Sequence, residues 1–156
     1  MQMNLLRLHI YISFLFMISA CNNETLYINS TNIENYAWDY RDSIKYEFEI
    51  TETNFSKNIS FFLRNDLNYS YRNIFLISSI YNDSVIIFRD TLEYSIADKY
   101  GRWLGQGREK KDNYLTFNQS FIFPEQGKYY VTIKHGMREN PLKGIMKLGI
   151  EIKNNR

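Results

Sequence analysis

The chain has 156 residues, 44% hydrophobic and 17% aromatic, with 13 Tyr and 11 Phe against seven Gly and two Pro. Its formal charge of +2, from 19 basic and 17 acidic residues, shows no run of one sign, which argues against nucleic acid as a partner. The single cysteine, Cys21, excludes disulfides within the chain and metal sites built from several thiolates.

The first twenty residues carry one basic residue ahead of an apolar run, Arg7 and then Ile10 to Ile18 interrupted only by Ser13. Ile18-Ser19-Ala20-Cys21 closes the segment, and polar Asn22-Asn23-Glu24 follows. This is the anatomy of a secretory signal too short to span a bilayer, with a lipobox at its end. Residues 1–20 are therefore expected to be a signal peptide and Cys21 the lipidated residue. The thiol would take diacylglycerol, and the amine freed by cleavage a further acyl chain. Each buried methylene contributes about 0.8 kcal/mol, so two or three chains anchor firmly where one is marginal. The membrane is thus an expected partner through Cys21. Loss of Arg7 with the signal leaves 18 basic against 17 acidic residues.

From Asn22 to about Asn35 the chain is rich in Asn, Ser and Thr, with isolated Leu26, Tyr27, Ile28 and Ile33. Residues 21–42 are expected to be a lipidated N-terminus and tether, with Tyr36 and Trp38 marking where it docks. Residues 43–156 are expected to form one domain, within the size range of a single core. Ile44, Tyr46, Phe48 and Ile50 alternate with Lys45, Glu47, Glu49 and Thr51, the period of a half-buried strand. Ile59, Phe61 and Leu63 repeat it before the break at Asn65-Asp66-Leu67-Asn68.

Ile74–Tyr81 and Val85–Tyr94 flank Asn82-Asp83-Ser84, which predicts a hairpin. Around Gly101, Gly105 and Gly107 the alternation lapses, and a stretch with Arg108, Lys110 and Lys111 leads to a strand from Tyr114 to Phe123. Pro124-Glu125-Gln126-Gly127-Lys128-Tyr129 has the form of a tyrosine corner. Strands Tyr129–Lys134 and Lys147–Lys153 complete the set. With no convincing amphipathic helix, the pattern predicts an all-β fold, an antiparallel β-sandwich of about seven to eight strands, immunoglobulin-like or jelly-roll-like.

Catalytic constellations are sparse. His135 is the one histidine left after the signal, too few for a zinc site or a histidine-based triad, and it reads as exposed at a strand end. No cofactor fingerprint occurs, and Gly101, Gly105 and Gly107 read as turn formers. Asp90, Glu93 and Asp98 are the carboxylates that a hydrolase would need, but Asp90 and Glu93 are three apart and should face opposite sides of a strand. They are expected to be solvated or hydrogen-bonded. Trp103, beside Arg102 in a glycine-punctuated loop, is a candidate partner anchor and equally a plug for the end of the sandwich. Arg138, in Gly136–Gly144, is a further candidate contact, or a structural partner of Glu139 or Asp98.

Several segments carry a resemblance. They are Phe61-Phe62-Leu63-Arg64-Asn65, Tyr71-Arg72-Asn73-Ile74-Phe75-Leu76, and Asp90-Thr91-Leu92-Glu93-Tyr94-Ser95-Ile96-Ala97-Asp98, which continues into Gly101-Arg102-Trp103-Leu104-Gly105-Gln106-Gly107. Phe123-Pro124, Gly127, Tyr129 and His135-Gly136-Met137-Arg138 extend it to Leu142, Gly144, Ile145 and Gly149. From Cys21 nearly to the C-terminus the chain resembles gliding-motility lipoproteins of the GldH type from Bacteroidetes, from whose pattern Lys147 departs by replacing an expected acidic residue.

The resemblance implies a non-catalytic lipoprotein of the outer membrane, serving gliding motility or type IX protein secretion through envelope proteins of that machinery, with no cofactor. In such a compartment Asp42-Ser43-Ile44, Asp83-Ser84-Val85 and Asp90-Thr91-Leu92 make Ser43, Ser84 and Thr91 candidate O-glycosylation sites. Without an acidic run after Cys21, the periplasmic face is the expected location. A glycan-binding envelope lipoprotein is the alternative reading, since a tyrosine-rich sandwich can present stacking surfaces.

Overall fold

The computed structural model describes residues 25–155. Period-two burial recurs along the chain. β3 (Ile44–Ile50) buries Ile44, Tyr46, Phe48 and Ile50, and β4 (Lys57–Asp66) buries Ile59, Phe61 and Leu63. β5 (Asn73–Asn82) and β6 (Val85–Ser95) form the expected hairpin: Asn82 pairs with Val85 across Asp83-Ser84, and Asp83 adopts the positive φ of 49° that tight hairpin turns favour. β7 (Lys110–Phe121) takes the basic stretch into the strand, starting four residues before the expected Tyr114. β8 (Gly127–His135) and β10 (Ile145–Asn154) supply the last long strands, and short β2 (Ala37–Trp38) pairs with β9 (Leu142–Lys143).

Residues 25–42 differ from the expected tether. Thr25–Asn32 is a strand, β1, antiparallel to β10 along its length. Among its side chains only Tyr27 is half-buried, reaching Phe48 at 5.5 Å between ring centroids, and the rest are exposed. Backbone pairing at a sheet edge holds this strand, so side-chain periodicity could not announce it. Ile33 and Trp38 are buried in the same core, while Tyr36 stays exposed. The expected signal peptide and Cys21 lie outside the described residues.

The two main sheets have the orders β1-β10-β4-β7 and β3-β8-β5-β6. Strand pairs are nested, β5 with β6, β4 with β7, β3 with β8 and β1 with β10, as if one long hairpin were rolled onto itself. That is the jelly-roll order rather than the immunoglobulin one. The tyrosine corner is present all the same, with the Tyr129 hydroxyl donating to the Glu125 carbonyl at 2.7 Å. The sheets face each other over one core, tied by the Tyr46 hydroxyl donating to the Leu148 carbonyl at 2.7 Å and by contacts of Phe88 on β6 with Phe117 and Phe121 on β7.

Register defines two ends. Thr25, Lys57, Phe121 and Asn154 lie together at the entry pole, with the β3–β4 loop, the β5–β6 turn and the β7–β8 loop. The loop pole gathers residues 39–43, 67–72, 96–109 and 136–141.

Candidate functional site

The loop pole is held from below by Trp38, which is 1% exposed. Its indole Nε1 donates to the Asp42 carbonyl at 2.9 Å, and its ring meets His135 edge-on at 5.3 Å. His135 is buried, not exposed as the sequence suggested, because the end of β8 packs against Trp38 of β2. Its Nε2 lies 3.0 Å from the Trp38 carbonyl, and burial lowers its pKa, only partly offset by that hydrogen bond and by Asp39. A neutral imidazole here donates from Nε2 to the carbonyl and packs the floor of the pole.

Above this floor, residues 96–107 form a braced loop. Asp98 accepts the Tyr100 and Arg102 backbone N–H groups, each at 2.9 Å, and the Arg102 Nε at 2.7 Å. Those bonds, led by the backbone N–H of Arg102, hold the Asp98 carboxyl below its ordinary range. Trp103 bridges Ala97 in antiparallel fashion and is half-buried, 6.4 Å from the Tyr69 ring and packed on the core. Two glycines let the loop lie flat on β7. A Cβ at Gly105 would stand 2.7 Å from Asn113 Oδ1 and 3.0 Å from the Asp112 carbonyl. At Gly107, with φ +105°, it would run into the Lys110 carbonyl.

The sequence-derived residues therefore separate in role. Trp103 packs half-buried against the core, and Arg102 binds Asp98 although its guanidinium is exposed. Tyr100, unnoticed in the sequence, is the ring that projects, 72% exposed between Lys99 Nζ at 5.0 Å and Arg102 Cζ at 5.5 Å, with Leu104 60% exposed beside it. Neither residue breaks a pattern, so only coordinates reveal them.

Arg138 is exposed and pairs with neither expected carboxylate, since Asp98 holds Arg102 and Glu139 takes a hydrogen bond from the Tyr71 hydroxyl, raising the pKa of that phenol. Tyr71 meets Tyr69 at 5.8 Å, and Tyr69 meets Trp103. This chain of rings brings the loops of Trp103 and Arg138 to one surface.

Elsewhere, Asp90 and Glu93 fall on opposite faces of β6. Asp90 caps the Thr91 N–H at 2.7 Å, and Glu93 accepts from Asn73 Nδ2 at 2.6 Å, so the two carboxylates do not converge. No group of three metal-ligating side chains occurs among the described residues. Ser43 and Thr91 are exposed, at the loop pole and on the outer face of β6, and Ser84 is exposed at the entry pole. Lys147 lies opposite Arg64, whose guanidinium binds Asp112 through Nε and Nη2 at 2.6 and 2.7 Å.

The outer face of the β1-β10-β4-β7 sheet carries a groove of about 250 Å³. Gly149 forms its floor, and Ile28, Phe62 and Tyr114 are among its walls. Phe62 and Tyr114 lie 5.5 Å apart, with Tyr114 largely in solvent.

The family model described as GldH lipoprotein matches residues 25–152. A gliding motility lipoprotein GldH homolog from Christiangramia forsetii is 32% identical over 153 residues, covering 92% of each chain. The gliding motility lipoprotein GldH of Flavobacterium johnsoniae is 27% identical over 144 residues, 87% of this chain and 89% of that one. Among solved structures, a family GH115 4-O-methyl-alpha-glucuronidase aligns with 87% of this chain at 9% identity and a TM-score of 0.45. This chain spans 18% of that enzyme.

Proposed function

The chain belongs to the GldH lipoprotein family, and on that premise we propose that it is a non-catalytic component of the gliding-motility and type IX secretion apparatus, anchored to the outer membrane through lipid on Cys21 and facing the periplasm. The observation that carries the interaction role is the loop pole, where Tyr100, Leu104 and Arg138 project from a scaffold already braced by Asp98, Trp38 and the Tyr69–Trp103 contact. A ring and cations presented on a rigid base lose little entropy on binding and suit a protein partner. The separated, individually bonded carboxylates support a non-catalytic reading.

In-cell crosslinking with affinity capture of the full lipidated chain tests this. Components of the gliding or secretion machinery should be recovered with wild type and lost with a Tyr100→Ala/Leu104→Ala variant anchored at the same level. Equal recovery would reject the loop pole as the docking surface, and recovery of no such component would reject the function. Protease added to whole cells should spare the chain if it faces the periplasm.

The groove beside Tyr114 favours a second reading, glycan binding, because an exposed ring next to a glycine-floored depression can stack on a sugar face. Retention of the domain on an envelope glycan, abolished by Tyr114→Ala, would support it. No retention would remove it.

A further inference from the structure

The two poles differ in what they expose. Among the large apolar side chains in solvent, Leu26, Phe55, Val85, Ile86 and Ile122 all belong to the entry pole, with Val85 and Ile122 each 65% exposed. All but the phenyl ring of Phe55 are aliphatic. The loop pole exposes two tyrosines, Tyr40 and Tyr100, and two leucines, Leu67 and Leu104, while Tyr36 is exposed in the β1–β2 connection and Ile28 and Tyr114 at the groove on the outer sheet face. An aliphatic surface made by strand ends and loop residues at one end of a sandwich has no role in the core, and exposed apolar patches of this kind mark contact surfaces for a protein or a membrane.

The position of Thr25 identifies the occupant. Cys21 is separated from Thr25 by three residues, Asn22, Asn23 and Glu24. Even fully extended, that link spans at most about 14 Å. Since Thr25 opens β1 at the entry pole, a lipid on Cys21 keeps this pole, and not the other, beside the bilayer. We infer that the entry pole is a lipid-contacting surface, which lays Val85, Ile122, Phe55 and Leu26 against the membrane and points the loop pole away from it. The inference rests on the proposed lipidation of Cys21.

Four features fit this role. The loops are bound together: Asn82 Nδ2 donates to Glu125, the Tyr129 hydroxyl to the Glu125 carbonyl at 2.7 Å, and the Asn155 N–H to the Ser56 carbonyl at 2.9 Å. The turn beside Val85 is therefore fixed to the loop that carries Ile122, and the loop that carries Phe55 to the end of β10. So short a link also gives the surface a high effective concentration at the bilayer, so that modest apolar contact suffices. Charges around it are mixed, exposed Asp83, Glu125 and Glu52 with Lys128 and half-exposed Lys153, so contact should depend on apolar burial rather than on anionic lipid or low salt. β4, with ten residues at about 3.3 Å each, sets the loop pole roughly 33 Å from the entry pole. That is out of reach of the bilayer.

The test uses the full lipidated chain in phosphatidylcholine vesicles, with an environment-sensitive fluorophore on a cysteine introduced at Ile122→Cys or, as control, at Tyr100→Cys. Cys21 is blocked by its lipid, so each variant offers a single reactive thiol. Intact mass is read first. A mass equal to the unacylated polypeptide would overturn the anchor and the docking together. With the lipid present, the probe at 122 should shift to the blue and be strongly quenched by brominated acyl chains, at low and high salt alike, while the probe at 100 stays unquenched. A probe at 122 that remains in water would overturn the docking and leave the lipidation standing. An O-glycan mapped to Ser84 would also overturn it, because a sugar beside Val85 holds this pole off the bilayer.

Discussion

The two poles of the sandwich are closed by the same kind of element, loops between antiparallel strands, yet they are built differently. At the entry pole, short turns end in aliphatic tips, and the corner is fixed by Tyr129 on the Glu125 carbonyl. At the loop pole, long segments are held by a buried Trp38–His135 floor, a carboxylate-braced turn and the rings of Tyr69, Tyr71 and Trp103. An end that meets a lipid surface needs only apolar tips, because a bilayer has no shape to match. On the proposed assignment, the end that meets a protein must hold specific groups in place, the task for which the extra buried structure is suited.

The comparison breaks first where the loop pole has its deepest support. Trp38→Ala should destabilise the domain by about 3–5 kcal/mol, read by denaturant unfolding, because it empties a fully buried indole site. Gly105→Ala should cost about 1–3 kcal/mol through overlap with Asn113 and the Asp112 backbone, and should weaken partner capture by lifting the loop that carries Tyr100.

His135 gives the loop pole a dependence on pH in the acid range. Burial lowers its pKa from the ordinary 6.5, so its contribution to stability is complete above that value. It is lost as pH falls, when the unfolded chain takes up a proton that the folded imidazole resists. The stability gap between wild type and His135→Gln, measured by thermal melts, should therefore narrow from pH 7 to pH 5.

At the entry pole, Tyr129→Phe should cost about 1 kcal/mol, the worth of one hydrogen bond. Smallest are the surface changes. Tyr100→Ala and the Val85→Ser/Ile122→Ser pair should each leave stability within about 0.5 kcal/mol, the first abolishing partner capture and the second lipid quenching. A reversal of those two functional losses would exchange the roles assigned to the poles.

Much of the sandwich was legible because half-buried strands write their geometry into side chains. Ile44 to Ile50 alternates without a fault, and Asn82-Asp83-Ser84 marks its hairpin with turn chemistry. β1 was illegible because its exposed Asn, Ser and Thr residues record no burial and its place comes from backbone pairing with β10, more than a hundred residues away. The site was legible only in part. Glycines and Trp103 pointed to the loop on which the proposed site is built, but there Trp103 packs inward and Tyr100 projects outward, which no local pattern records.

By itself the sequence determined the all-β class, most long strands, the tyrosine corner and the likeness to gliding-motility lipoproteins, because each depends on residues near one another in the chain. Tertiary structure alone decided the jelly-roll order over the immunoglobulin one, the burial of His135 under Trp38, and the pole at which Thr25 enters. These depend on which distant backbones pair and which end of a sheet a strand reaches. Main-chain hydrogen bonds, being common to all residues but proline, leave no trace of that choice in local sequence.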